Sequence, residues 1–377
     1  MLSVVVPTYN EAENLPRLAE VLAQALVGVE YELLIADDRS ADDTIQVLKE
    51  LTAQYPIRLI SAGDRPRDLS LSVIDGVNAA EYDLVLVMDA DLSHPPEVVP
   101  AMLAAIGKEP SCLVLGSRYT EGGSFDRDWS LWRFVNSYVA TMIARPLVNC
   151  GDPMSGFFLF DRRNVDLQKL KPIGYKIALE LMVRGKFVEV IEVPILFKDR
   201  EIGDSKMNLQ QQFKYLRHIR RLYLHKFGNL AEFVNFGAVG ASGFLIDITF
   251  YFLFQFVGFN HVSARAMSFW PAVSWNWALN RITTFGERQT RPKARQWFEF
   301  VGTSLFGFAV NWGIYTYLTS NHEFFDDYKV LALVTGIVCA SFFNFAASSL
   351  FVYSDKRSFR NKNSENKKSG EKSDVAD

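Results

Sequence analysis

The sequence predicts two fused structural classes: an α/β unit on a mostly parallel sheet, then an all-α unit of four membrane-spanning helices. Three observations carry this. Short apolar runs alternate with amphipathic segments through the first third of the chain. Polar residues gather where each apolar run ends, as at the carboxyl edge of an open α/β sheet. Four long apolar stretches then follow between 230 and 353, a region that holds five of the seven tryptophans. The near-zero mean hydropathy of +0.04 averages over these unlike halves.

The elements follow in order. Leu2–Val6 reads as a buried strand closed by Pro7. Leu15, Leu18, Ala19, Leu22, Ala25 and Leu26 give helical periodicity across 13–27. Tyr31–Ala36 is a second strand, and a helix is expected over 43–54. A strand at Ile57–Ser61, a helix near 73–80 and a strand at Asp83–Met88 come next. A helix at 96–106 and a strand at Cys112–Gly116 complete the pattern. Segment 209–228 places Phe213, Leu216, Ile219, Tyr223 and Leu224 on one helix face and basic residues around it. It is expected to lie in the membrane interface, with His218 and His225 turned to the headgroups.

The apolar stretches are Phe233–Phe259, Val262–Phe285, Phe298–Ser320 and Val330–Tyr353. Arg288, Arg291, Lys293 and Arg295 lie between the second and third, and Lys356, Arg357, Arg360, Lys362, Lys367 and Lys368 follow the fourth. These mark the cytoplasmic side. An even number of spans places the N-terminal unit there too. The expected boundaries are 1–207, 208–229, 230–353 and a disordered cytoplasmic tail at 354–377. The N-terminus lacks the basic and apolar regions of a signal peptide. Net charge −3 gives no nucleic-acid footprint. Cys112, Cys150 and Cys339 are too scattered for a metal set or a disulfide framework.

Asp89-Ala90-Asp91 directly follows an apolar strand. Two carboxylates so placed can both reach a hard divalent cation, Mg²⁺ or Mn²⁺, which can also hold phosphate oxygens. His94, before Pro95-Pro96, reads as a residue that shapes this loop. Arg133 sits among Trp129, Leu131, Trp132, Phe134 and Val135, a setting suited to a phosphate at the membrane surface.

VVVPTYNE, ADDRSADDT and MDADLSHPPE, in this order, resemble the inverting family-2 glycosyltransferases of GT-A fold. GSRY with Gly122-Gly123, WSLWRFVNS, GDPMSGFF and FKDREIGDSK are similar to the polyprenol-phosphate (dolichol-phosphate) mannosyltransferases among them. The four-span region, opening GAVGASGFLID, resembles a GtrA-like membrane domain. The resemblance implies metal-dependent transfer of mannose from GDP-mannose to a polyprenyl phosphate at the cytoplasmic face of the bilayer. It implies that Pro7, Tyr9, Glu11, Ala36 and Asp38 line the nucleotide pocket. Asp89, Ala90 and Asp91 would hold the sugar nucleotide. Asp91 would be the main metal ligand, with Asp89 and Ser93 beside it. Arg118, Arg133 and Ser137 would take the lipid phosphate; Asp91, Arg118 and Arg133 are the expected catalytic set. Arg200 and Lys206 would close over the donor diphosphate. Ser93 stands where relatives often carry Gln, and Asp68–Ser72 replaces their Gly-rich turn. A UDP-glucose donor and a non-catalytic lipid-linked sugar translocator are the alternatives. A processive polysaccharide synthase would need a Gln-x-x-Arg-Trp segment, which is lacking here. An oligomer is possible.

Overall fold

The computed structural model describes residues 1–107, 111–125, 131–197, 209–286, 288 and 292–353, without the side chains of 125, 131–134, 209 and 326. The chain divides into two units, at 1–226 and from 227 onward. In the first, β1 (Leu2–Thr8), α1 (Leu15–Ala25), β2 (Tyr31–Asp37), α2 (Thr44–Leu51), β3 (Ile57–Ser61) and α3 (Leu69–Ala79) alternate. Then come β4 (Leu84–Val87), α4 (Val99–Ile106), β5 (Leu113–Ser117), β6 (Ser124–Phe125) and α5 (Leu131–Ala144). The unit ends with β7 (Phe158–Asp161), α6 (Ile177–Arg184), β8 (Val190–Pro194), β9 (Leu196–Phe197) and α7 (Leu209–Phe227).

The main sheet runs β3-β2-β1-β4-β7-β5-β8. β1 pairs in parallel with β2 and β4, and β5 with β8, while β7 is antiparallel to both β4 and β5. The mostly parallel α/β prediction holds. The β7 wedge is the addition, since FLFD is too short and too uniformly apolar to signal a direction. All seven residues of β1 are buried. Val4 and Val6 join α1 in one core layer, and Val5 joins Val73 and Val77 of α3 in the other. Cover on both faces explains why the strand reads as one apolar run rather than an alternation. Each such valine is worth about 1.5–3 kcal/mol of transfer energy. Gly76 lets α3 descend onto β1, because a Cβ there would strike Val5.

The loops at the carboxyl ends of β1, β2 and β4 contain Asn10, Arg39 and Leu92. These are the non-glycine residues of positive φ among the described residues, at 59°, 63° and 58°. Left-handed backbone at three such residues stores strain on one edge of the sheet.

Helix α7 docks on the α/β unit. Tyr215, His218, Ile219 and Leu222 are buried, and the Tyr215 hydroxyl donates to the Ala140 carbonyl at 2.7 Å. His218 does not face headgroups as expected. It is fully buried, with Nε2 2.8 Å from Glu180 Oε2. Phe213 and Leu216, on the predicted apolar face, are 70% and 51% exposed.

The second unit holds α8 (Asn229–Phe256), α9 (His261–Leu279), α10 (Lys293–Asn321), α11 (Glu323–Asp327) and α12 (Lys329–Ala347). π-helical turns at Asn280–Thr284 and Ser348–Val352 extend α9 and α12. α8 packs on α9, and α10 on α12. Asn229–Phe256 and Lys329–Val352 are long and apolar enough to cross a membrane. Arg265, Asn276 and the tryptophans dilute α9, and Asn311 and the tyrosines dilute α10.

Candidate active site

The first two loops are laced together. The Asn10 amide N–H donates to Ser40 Oγ at 2.9 Å, and the Ala41 N–H donates to Asn10 Oδ1 at 2.8 Å. The Glu11 N–H donates to Thr44 Oγ1 at 3.0 Å. Asp38 is buried and turned toward the segment after β3. Its carboxylate pairs with Arg65 at 3.2 Å and accepts the Asp68 N–H at 2.9 Å. Asp68 caps α3 by accepting the Ser70 N–H, and it also accepts the Gly174 N–H at 3.0 Å. In place of the Gly-rich turn that the resemblance implies, a side-chain clasp joins two loops here. Burial raises the Asp68 carboxyl above its ordinary range.

Across β1, the carboxylate pair follows β4. The Asp89 N–H donates to His94 Nδ1 at 2.9 Å, which leaves the ring proton on Nε2. His94 stacks on Phe157 with centroids 5.2 Å apart, and burial holds its pKa below the ordinary range. It shapes the loop, as the sequence indicated. Asp91 Oδ1 accepts from the Ser93 N–H at 3.1 Å and from its hydroxyl at 2.6 Å. Ser93 is therefore buried behind Asp91 rather than on the cavity wall.

Beyond β5, Arg118 donates through Nε and Nη2 to the two carboxylate oxygens of Asp152, both at 2.7 Å. Asp152 is fully buried, and its own N–H donates to Glu192 Oε1 at 3.1 Å. The guanidinium lies 5.3 Å from the Phe197 ring centroid. Ser137 on α5 sits 3.4 Å from the Tyr119 hydroxyl. Lys176 donates to the Met154 carbonyl at 2.7 Å, and burial lowers its pKa to about 8.

One cavity of about 840 Å³ joins these groups. Pro7, Tyr9, Glu11, Asp38, Asp89, Ala90, Asp91, Arg118 and Ser137 line it. Ala36 is buried in β2, pairs with Pro7 in register and is not on the wall. The side chain of Arg133, together with Arg200 and Lys206, lies outside the described residues. Sequence reasoning missed Arg67 and Lys176, which also line the cavity, and Asp152, which holds Arg118. Asp152 lies inside the GDPMSGFF segment, a usable signal. Arg67 and Lys176 carry no local pattern.

A glycosyl transferase family 2 model matches residues 3–167, and a GtrA/DPMS transmembrane-domain model matches 235–358. Dolichol-phosphate mannosyltransferase from Pyrococcus furiosus is 36% identical over 341 residues, covering 89% of this chain and 95% of the relative. The chain belongs to the dolichol-phosphate mannosyltransferase family. It is a glycosyltransferase with a GT-A-type α/β domain and a GtrA-like membrane domain, hence a membrane protein, in agreement with the resemblance carried by its motifs. The mannosyltransferase of Mycosarcoma maydis is 37% identical over 239 residues, 60% of this chain and 81% of its own. That of Saccharomyces cerevisiae is 36% identical over 251 residues, 63% of this chain and 93% of its own.

Proposed function

We propose that this enzyme transfers mannose, with inversion, from GDP-mannose to a polyprenyl (dolichyl-type) monophosphate. The observation that carries the reading is a single cavity with a carboxylate pair near its middle. Pro7, Tyr9, Glu11 and Asp38 lie toward one side of the strand order, and Arg118 and Ser137 toward the other. A volume of about 840 Å³ suits a sugar nucleotide plus an acceptor head.

The donor set fits a hard divalent cation. Asp89 and Asp91 offer carboxylate oxygens on the cavity wall, and Ser93 holds Asp91 in place. No third acidic, His or Cys ligand joins them among the described residues, so phosphate oxygens and water would complete the shell. When bound, Mg²⁺ or Mn²⁺ would neutralise charge developing on the leaving diphosphate.

The protein's own part is positioning. A phosphate monoester has its second pKa near 6, as in phosphorylated side chains, so it is largely dianionic at neutral pH. It needs no strong base to attack the anomeric carbon. Arg118, pinned by Asp152, presents a preorganised cation where that phosphate must sit. Lys176 adds positive charge while protonated. Arg133 would join Arg118 on the acceptor phosphate, and Arg200 and Lys206 would close over the donor diphosphate.

The membrane unit is proposed to cross the bilayer four times, with the α/β unit and the tail cytoplasmic on the evidence of the basic segments. Exposed Phe213 and Leu216 would rest on the bilayer surface. The test supplies labelled GDP-mannose or UDP-glucose with a polyprenyl phosphate, with and without Mn²⁺, and extracts the lipid. Mannolipid from GDP-mannose, lost in Asp91→Ala with the fold intact, is expected. Labelled lipid from UDP-glucose alone, or near-normal transfer by Asp91→Ala, would overturn the proposal.

A further inference from the structure

The second unit repeats one hairpin design, α8 on α9 and α10 on α12. A shift of 64 residues lays α8 on α10 and matches Phe236 with Phe300, Gly243 with Gly307 and Asp247 with Asn311. A shift of 68 lays α9 on α12 and matches Ser268 with Gly336, Asn276 with Asn344 and Phe285 with Tyr353. The contacts repeat with the residues. Asn276 is seated against Gly243, and Asn344 against Gly307. Asn311 packs on Gly336 where Asp247 accepts from Ser268 Oγ at 2.7 Å. Each π turn closes on the same bond, Phe285 N–H to Asn280 O and Tyr353 N–H to Ser348 O, both 2.8 Å.

The repeat exposes several charge asymmetries, and one of them borders a cleft. In the first hairpin Asp247 also pairs with Arg265. The matched residues of the second are Asn311 and Leu333, both uncharged. A hairpin of this design therefore packs without the charges. Placing an ion pair between apolar helices carries a desolvation cost that such packing does not repay. Intramembrane ionisable groups of this kind mark sites by default. A cleft of about 430 Å³ opens beside the pair, walled by Phe244, Ile248, Tyr251, His261 and Val262. Within the pair, Asp247 is only 14% exposed and Arg265 is 65% exposed. The carboxylate is the anchor, and the guanidinium is the group on offer.

We infer that this cleft binds the phosphate head of a lipid, with Arg265 as its ligand and Asp247 as the positioning residue. The walls suit a hydrocarbon chain. The guanidinium suits phosphate, because its fork gives parallel charge-assisted hydrogen bonds. The site shares no residue with the catalytic cavity and does not depend on which donor that cavity takes.

The test uses the full-length protein in detergent and the double variant Asp247→Asn/Arg265→Leu, which copies the second hairpin. Farnesyl phosphate occupancy is counted by native mass spectrometry, with phosphatidylglycerol as competitor. The variant is expected to lose one bound lipid phosphate per chain, or to weaken it ~10-fold or more, with its melting temperature unchanged within a few degrees. Displacement by phosphatidylglycerol would assign the site to bulk phospholipid, and resistance to it would assign an isoprenoid phosphate. Equal occupancy in both proteins overturns the inference. A variant that fails to fold overturns it too, since the pair would then be a packing requirement.

Discussion

Arg67 lies across Tyr9. Its guanidinium carbon is 4.5 Å from the ring centroid, and Nη1 donates to the Tyr9 hydroxyl at 2.7 Å. Nη2 donates to the Arg39 carbonyl at 3.2 Å, so one side chain bridges the loops after β1 and β2. In the strand order the loop after β2 lies on the far side of β1 from the β4 carboxylates. With the diphosphate at the carboxylates, as proposed, the base would fall at the Arg67 end.

Arg67→Ala is therefore expected to raise KM for the sugar nucleotide about 5–10-fold and to leave kcat within twofold. The magnitude is that of a partly exposed cation–π and stacking contact, about 1 kcal/mol. Steady-state kinetics with saturating lipid acceptor reads it. A fall in kcat with KM unchanged would place Arg67 at the reacting centre and refute this assignment.

The fold and the cavity residues that follow β1, β2 and β4 were legible because they are local in the chain. Buried strands read as apolar runs, and Tyr9, Glu11, Asp38 and the Asp89–Asp91 pair stand directly at or just after strand ends. The rest depends on distant pairings. Asp152 meets Arg118 from 34 positions away, and Asp68 meets Gly174 from 106 away. β7 sits between β4 and β5 although it follows both in sequence. His218 misled for the same reason. Its basic neighbours point to headgroups, while its partner Glu180 lies on another helix.

Lys176 sets an alkaline limit on activity. Burial lowers its pKa to about 8, so it is roughly 90% charged at pH 7 and roughly 10% at pH 9. Both substrates of the proposed reaction are anionic, and this cation is lost as pH rises through 8. KM for substrate is expected to climb across pH 7.5–9 in the wild type. Lys176→Met should show a raised KM with that limb flattened. An identical alkaline limb in both proteins would assign the titration to another group.

The α6–α7 joint predicts an acid-sensitive stability. Glu180 is fully buried; it is hydrogen-bonded to His218 Nε2 at 2.8 Å and to the Lys171 N–H at 2.8 Å, and it forms an ion pair with Arg184 at 2.7 Å. Burial pushes its carboxyl up, but the bonds from His218 and Lys171 and the Arg184 charge outweigh that. The folded pKa lies below the ordinary value. Because the folded value is the lower one, its contribution is complete above the unfolded carboxyl's pKa, near 4.3. It is lost as pH falls through the folded value. Breaking a buried pair of this kind costs about 3–5 kcal/mol. In a unit of this size that corresponds to a melting shift on the order of 10 °C. Glu180→Gln should lower the melting temperature by that order at pH 7, and the gap to wild type should narrow toward pH 3. A gap that is absent at pH 7, or constant with pH, would show that α7 is held by apolar contacts at Ile219 and Leu222 alone.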